Sequence, residues 1–250
     1  MRKICFCLFV LACLFSTVAR AEGAKGHFRA TRYAVHYVLQ DDGRLSHEYD
    51  QILQANTLDG VNALGRWQIP FHSSMQSVEI LTAETVKADG RRIPVLPAGI
   101  ETQTGGMQGF SSRQDLVVKL ITFPEHSVGD SIHLRYRLNQ DKPLYPGRIA
   151  EWQPLNESVQ FDAAELGIDA PADMSLQVEA EGLKAERDVR EGGRRKQVWS
   201  YRNPFPRSLE PSEIDTGRLG PHLLFSNFSS WREVAEAGES LFKPKASVNA

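Results

Sequence analysis

Residues Ser131 to Leu138 read S-I-H-L-R-Y-R-L, an uninterrupted alternation of polar and apolar side chains. Successive side chains of an extended chain point to opposite sides, so a period of two puts Ile132, Leu134, Tyr136 and Leu138 on one face of a half-buried strand. His133, Arg135 and Arg137 then share the other face. Upstream, Leu116 to Phe123 is apolar on both faces apart from Lys119, the pattern of a central strand. Pro124 ends it because proline has no N–H for a ladder. Gly129-Asp130 supplies turn chemistry. Asp115 to Leu138 therefore predicts two strands joined by a turn.

The same signal recurs along the chain. Phe28 to Leu39 alternates, Asp42-Gly43 marks a hairpin turn, and Leu45 to Thr57 can return. Asp59-Gly60 predicts a further turn. Trp67, Ile69 and Phe71 alternate. Val78 to Lys87 predicts a strand that Ala88-Asp89-Gly90 turns into a short arm, Arg91 to Leu96. Pro97 to Arg113 is glycine-rich and aperiodic, and predicts a long loop. Lys142 to Pro154 predicts a crossover. Val159 to Ile168 predicts a strand, and Phe161 to Leu166 also admits a short helix before Gly167. Leu176, Val178 and Ala180 alternate, as do Gln197, Trp199 and Tyr201, with Glu186 to Lys196 as a charged hairpin tip. Pro204, Pro206, Pro211 and Pro221 mark residues 203–228 as a linker. Ser230-Trp231-Arg232-Glu233 is a capping box that opens a helix carrying Trp231, Val234, Ala235 and Leu241 at helical spacing. The fold expected is all-β, an antiparallel sandwich over 22–202, as one body or two packed lobes, with a C-terminal helix and tail over 229–250.

The N-terminus is read apart from this. Met1-Arg2-Lys3, the apolar run Ile4 to Val18 and Ala19-Arg20-Ala21 form a signal peptide over 1–21. Val10-Leu11-Ala12-Cys13 loosely resembles a lipoprotein box, so a lipid anchor is the lesser alternative to a periplasmic or extracellular product. The chain has three cysteines, Cys5, Cys7 and Cys13, all inside this segment. Residues beyond it offer no thiolate, disulfide or cysteine metal ligand. The formal charge is −2, and removal of Arg2, Lys3 and Arg20 makes it more acidic, which argues against a nucleic-acid footprint. No later apolar run is long enough to span a membrane.

Each chemistry-bearing residue type in the chain also admits an ordinary structural role. If Asp42-Gly43 is the whole turn, His36 and His47 lie diagonally on one face, about 7–8 Å apart between backbones, but no third metal ligand accompanies them. His126 is expected at a turn and His133 on a polar face. Ser111-Ser112 lacks a nucleophile elbow. Trp67, Trp152, Trp199 and Tyr201 offer either a sugar-stacking platform or core filling. His133, Arg135 and Arg137 offer either an anion site or a solvated row. None of these patterns defines a catalytic, cofactor or metal residue, so none is assigned.

Several stretches together carry a resemblance: V-K-A-D-G-R-R-I-P, F-P-E-H-S-V-G-D-S-I-H-L-R-Y-R-L, the I-D-A-P strand end, and S-N-F-S-S-W-R-E-V-A. In this order they resemble the N-terminal domain of exported bacterial transglutaminase-like proteins, domain of unknown function 3857. The resemblance implies an all-β domain followed by a helix that opens a papain-like core with a Cys-His-Asp triad. It transfers no catalytic residue, because no cysteine follows Cys13. The expectation is an exported, non-catalytic accessory or scaffold domain. Its partner would be a transglutaminase- or protease-like domain or an envelope polymer. A carbohydrate- or peptide-binding module is the first alternative, and a hydrolase with an unrecognised carboxylate site the second.

Overall fold

A computed structural model describes residues 26–104, 115–207 and 220–246, the side chains of 240–246 excepted. The predicted signal peptide, the cysteines and Ser111-Ser112 fall outside these residues. The strands are β1 (Phe28–Leu39), β2 (Leu45–Ala55), β3 (Arg66–His72), β4 (Gln76–Val86), β5 (Arg92–Pro94), β6 (Ile100–Thr104) and β7 (Leu116–Thr122). They continue as β8 (Ser131–Gln140), β9 (Ala150–Pro154), β10 (Gln160–Pro171), β11 (Gln177–Glu181), β12 (Lys184–Glu191), β13 (Arg194–Asn203) and β14 (His222–Ser226). Among the described residues two α-helices accompany them, α1 (Leu58–Gly65) and α2 (Trp231–Ala246).

An eight-stranded sheet has the order β12-β13-β10-β1-β2-β8-β4-β5. Two three-stranded sheets, β11-β14-β9 and β3-β7-β6, complete the fold. The alternation legible in the sequence decides which side is covered. Val35, Tyr37 and Leu39 of β1, Leu45 and Leu53 of β2, and Ile132 and Leu134 of β8 share one buried cluster with Ile69 and Ile121 of one small sheet and Leu223 and Phe225 of the other. Both small sheets thus cover the same face of the large one, which is the sandwich expected. Its ladders are antiparallel except where β1 runs parallel to β10.

The two strands predicted over Asp115–Leu138 form, but they do not pair with each other as a hairpin would. β7 is indeed a central strand, but between β3 and β6, whereas β8 lies between β2 and β4. The connection is a corner between sheets. Asp130, 4% exposed, fastens that corner by accepting from Lys87 Nζ (2.6 Å), Ala88 N (2.9 Å) and Ser127 N (2.9 Å). Burial alone raises this carboxyl's pKa, but these donors outweigh it and hold the group below the usual carboxylate range.

Three further segments differ from what their sequence predicts. Asp59-Gly60 lies in the first turn of α1, capped by the Thr57 hydroxyl, which accepts from Gly60 N at 3.1 Å. The glycine serves packing there, since a Cβ would lie 2.0 Å from the His27 carbonyl oxygen. Residues 97–104 form a short 3₁₀ turn and β6 rather than a loop. The predicted linker contains β14, the middle strand of its sheet, because Leu223 and Phe225 are fully buried. The capping box at α2 forms with a shift: Ser230 Oγ accepts from Glu233 N (3.3 Å), while Glu233 Oε2 accepts from Ser229 N (2.7 Å).

Candidate functional site

The two faces of the large sheet place its ionisable groups in opposite settings. On the outer face, β2, β4 and β8 bring together Glu48, Asp50, Glu79, Glu84, His133, Arg135 and Arg137. His133 lies between two carboxylates, with Nδ1 2.9 Å from Glu84 Oε1 and Nε2 3.2 Å from Asp50 Oδ1. Arg135 Nη2 donates to Glu48 Oε1 (2.7 Å), and Arg137 donates to Glu48 Oε2 (2.9 Å) and Glu79 Oε2 (3.1 Å). Arg32 Nε donates to Asp50 (2.9 Å), and Arg92 caps Glu84. The Arg135 hydrogen bond is the largest influence holding the Glu48 carboxyl below its ordinary range. The basic row is therefore neutralised by its own sheet.

On the inner face, β2 carries His47, Tyr49 and Gln51, and β9 carries Glu151 and Gln153 opposite them. Tyr37 donates to Gln153 Oε1 at 2.9 Å, and Gln153 Nε2 reaches the Tyr33 hydroxyl at 3.3 Å. Tyr49 stacks on Tyr136 with centroids 4.6 Å apart and planes 9° apart. Tyr37 meets Phe225 edge-on at 4.9 Å. His47 Nε2 lies 3.8 Å from Glu151 Oε1, beyond a hydrogen bond. His47 Nε2 and Gln51 Nε2 are buried without a hydrogen-bond partner. Burial pushes the Glu151 carboxyl up to about 7 and the His47 imidazole down to about 4. Both shifts favour the neutral form, as removal from water requires where no counter-ion compensates.

The expected pairing of His36 with His47 is overturned by one residue of register. Asp42-Gly43 sits within a five-residue loop, and Leu39 pairs with Leu45, so His36 faces Glu48 and Tyr37 faces His47. A one-residue slip moves a side chain to the other face. His36 accordingly lies outside, 2.8 Å from Glu165 Oε1, and lines a groove of about 490 Å³ together with Gly167. A Cβ at Gly167 would meet the His36 ring at 2.9 Å. His126 sits in the inter-sheet corner, and burial lowers its pKa.

The tryptophans do not form one platform. Trp199 is core, Trp67 packs against the core, and Trp152 is 47% exposed on the open face of the β11-β14-β9 sheet opposite Leu224. Tyr201 meets Phe161 at 5.7 Å. Among the described residues no group of three or more His, Cys, Asp or Glu side chains could hold a metal ion. No helix among them is long and apolar enough to cross a membrane.

The class defined by this architecture is an all-β domain of three sheets with an appended helix. A family model described as "Domain of Unknown Function with solved-structure structure (DUF3857)" matches residues 41–207, and the chain belongs to that family. No curated protein matches it. Among solved structures it is similar to one described as a "putative protease" from Parabacteroides distasonis ATCC 8503, with 20% identity and a TM-score of 0.74. That match covers 83% of this chain and 41% of the other, so the chain spans about two fifths of that protein's length. An M1 zinc metallopeptidase from Deinococcus radiodurans is similar at 15% identity and a TM-score of 0.43, over 82% of this chain and 42% of that one.

Proposed function

We propose that this protein is an exported, non-catalytic accessory domain that docks a catalytic unit of the transglutaminase or protease type. The observation that carries this reading is the setting of α2. Its first turn meets the β domain through the ion pair in which Glu233 accepts from Arg148 Nη2 (3.1 Å), and it is capped by Glu233 accepting from Ser229 N (2.7 Å). Yet Trp231 is 88% exposed, and Ala235, one turn on, also faces solvent. A helix that starts at the edge of the domain with an open aromatic residue offers a contact for a second body. Family membership supports the reading, as does the recurrence of the fold within a longer protein described as a protease. The test is titration calorimetry with a papain-like catalytic unit from a DUF3857 protein supplied in trans. Wild type binds it and Trp231→Ala loses about tenfold or more in affinity. Equal binding by the two proteins contradicts the reading, as does hydrolytic activity of the purified chain that one acidic or His substitution abolishes.

A second reading rests on Trp152 and Leu224, which pair across strands on an open sheet face. They offer a stacking surface for a glycan or an extended peptide. Glycan or peptide binding lost in Trp152→Ala, with the fold intact and Trp231→Ala silent, would favour it over docking.

A further inference from the structure

The outer face of the large sheet has a hollow over β12, β13, β10 and β1, beside the ion-pair ladder. Cross-strand register sets Arg187 of β12, Val198 of β13, Gly167 of β10 and His36 of β1 in one row. Three strand spacings, about 14 Å, separate Arg187 from His36. Only a valine and a glycine stand between them, so the row dips, and these four residues line the groove of about 490 Å³. Lys196 lines it too. It lies diagonal to Arg187 on the same face, about 7–8 Å away between backbones.

The charges of this groove are unevenly satisfied. Its carboxylates are engaged. Glu165 Oε1 lies 2.8 Å from His36 Nε2, and Asp169 accepts from Arg194 Nε at 2.7 Å. Glu186 accepts from Lys184 Nζ at 2.8 Å and from Ser200 Oγ at 2.6 Å. The side chains of Arg187 and Lys196 have no hydrogen-bond or ion-pair partner among the described residues. Asp169 pairs with Lys196 across the ladder but gives its carboxylate to Arg194. Elsewhere on this face Arg32, Arg135 and Arg137 each hold a carboxylate. Two neighbouring cations without one, at one end of a hollow, leave positive charge for a ligand to meet.

We propose that this groove binds an acidic peptide. A carboxylate of the peptide sits between Arg187 and Lys196, where the guanidinium donates two parallel hydrogen bonds to it. The peptide then crosses Val198 and Gly167 towards β1, close to the sheet because Gly167 has no side chain. A Cβ at that position would crowd the His36 ring at 2.9 Å, so the glycine keeps the floor low. At that end Glu165 turns its second carboxylate oxygen to a peptide N–H. A peptide suits the groove better than a glycan. Among the described residues its lining has no open aromatic ring for a sugar to stack on, since the ring of Tyr37 belongs to the core.

An NMR titration of the labelled protein tests this. The probes are an acetylated and amidated Ala-Glu-Ala-Glu peptide, its Ala-Gln-Ala-Gln counterpart and an oligogalacturonate. The acidic peptide should shift the amide signals of Gly167, Lys196 and Val198, and the Gln peptide should bind about tenfold more weakly or less. Arg187→Gln and Lys196→Gln alter side chains that hold nothing else in place, so both variants fold. Each should weaken binding of the acidic peptide about tenfold. Arg91→Gln, beside β5 at the opposite edge of the sheet, should leave it unchanged. Equal binding of the two peptides overturns the proposal, as does an affinity that ignores both Arg187→Gln and Lys196→Gln. So does the absence of shifts at Gly167 and Val198. Binding of the oligogalacturonate but not of the acidic peptide also overturns it and makes the groove a site for an acidic glycan.

Discussion

The large sheet treats charge differently on its two sides. Outside, each carboxylate of Glu48, Asp50, Glu79 and Glu84 meets an arginine or His133 within hydrogen-bond reach, from half-covered groups such as Glu84 to the open side chain of Glu79. Inside, Glu151 and His47 lie under a second sheet, where burial shifts both towards the neutral form, Glu151 up to about 7 and His47 down to about 4. The difference shows where this fold can absorb change. A wet ion pair gains little and loses little, because solvent replaces either partner. A buried titratable group has no such substitute, so its protonation state becomes part of the packing.

Substitutions that separate the faces should scale accordingly. Phe225→Ala removes a fully buried ring edge-on to Tyr37 and should cost about 3–5 kcal/mol in urea unfolding. Asp130→Ala at the inter-sheet corner strands Lys87 and two backbone N–H groups. It should cost about 3 kcal/mol, with hydrogen exchange rising first in residues 123–130. Glu151→Gln, which imitates the protonated acid, should stabilise the protein at pH 8 by on the order of 3 kcal/mol. The gain follows from a folded value of about 7 against 4.5 unfolded, and it should fade as pH falls towards 4. Arg137→Ala on the outer face should cost less than about 1 kcal/mol, and the cost should shrink further in high salt. An outer-face loss as large as that of Phe225→Ala would erase the distinction between the faces.

Much of the outer face was legible in the sequence. Alternation over Ser131–Leu138 assigns His133, Arg135 and Arg137 to one side correctly, since the period of a strand is local information. The two-sided apolar run of β7 likewise marks a central strand. Which sheet receives a strand is not local, and Gly129-Asp130 reads the same in a hairpin as in a corner. The inner site stayed hidden for two reasons. Its histidine depends on a register that the loop Gln40–Arg44 shifts by one residue. Its carboxylate lies on a five-residue strand in a proline-marked stretch, whose partner β14 is about 70 residues away. Glycine signals also misled where Gly60 answers to the His27 carbonyl rather than to a turn.

The contrast between the faces rests most directly on the protonation of Glu151. A carbon-detected NMR titration of the labelled protein reads its carboxyl and the His47 ring together. The Glu151 carboxyl should titrate near pH 7, while His47 stays neutral until about pH 4. A Glu151 midpoint near the ordinary 4.5, with His47 charging near 6.5, would contradict the account and make the inner pair a charged one like those of the outer ladder.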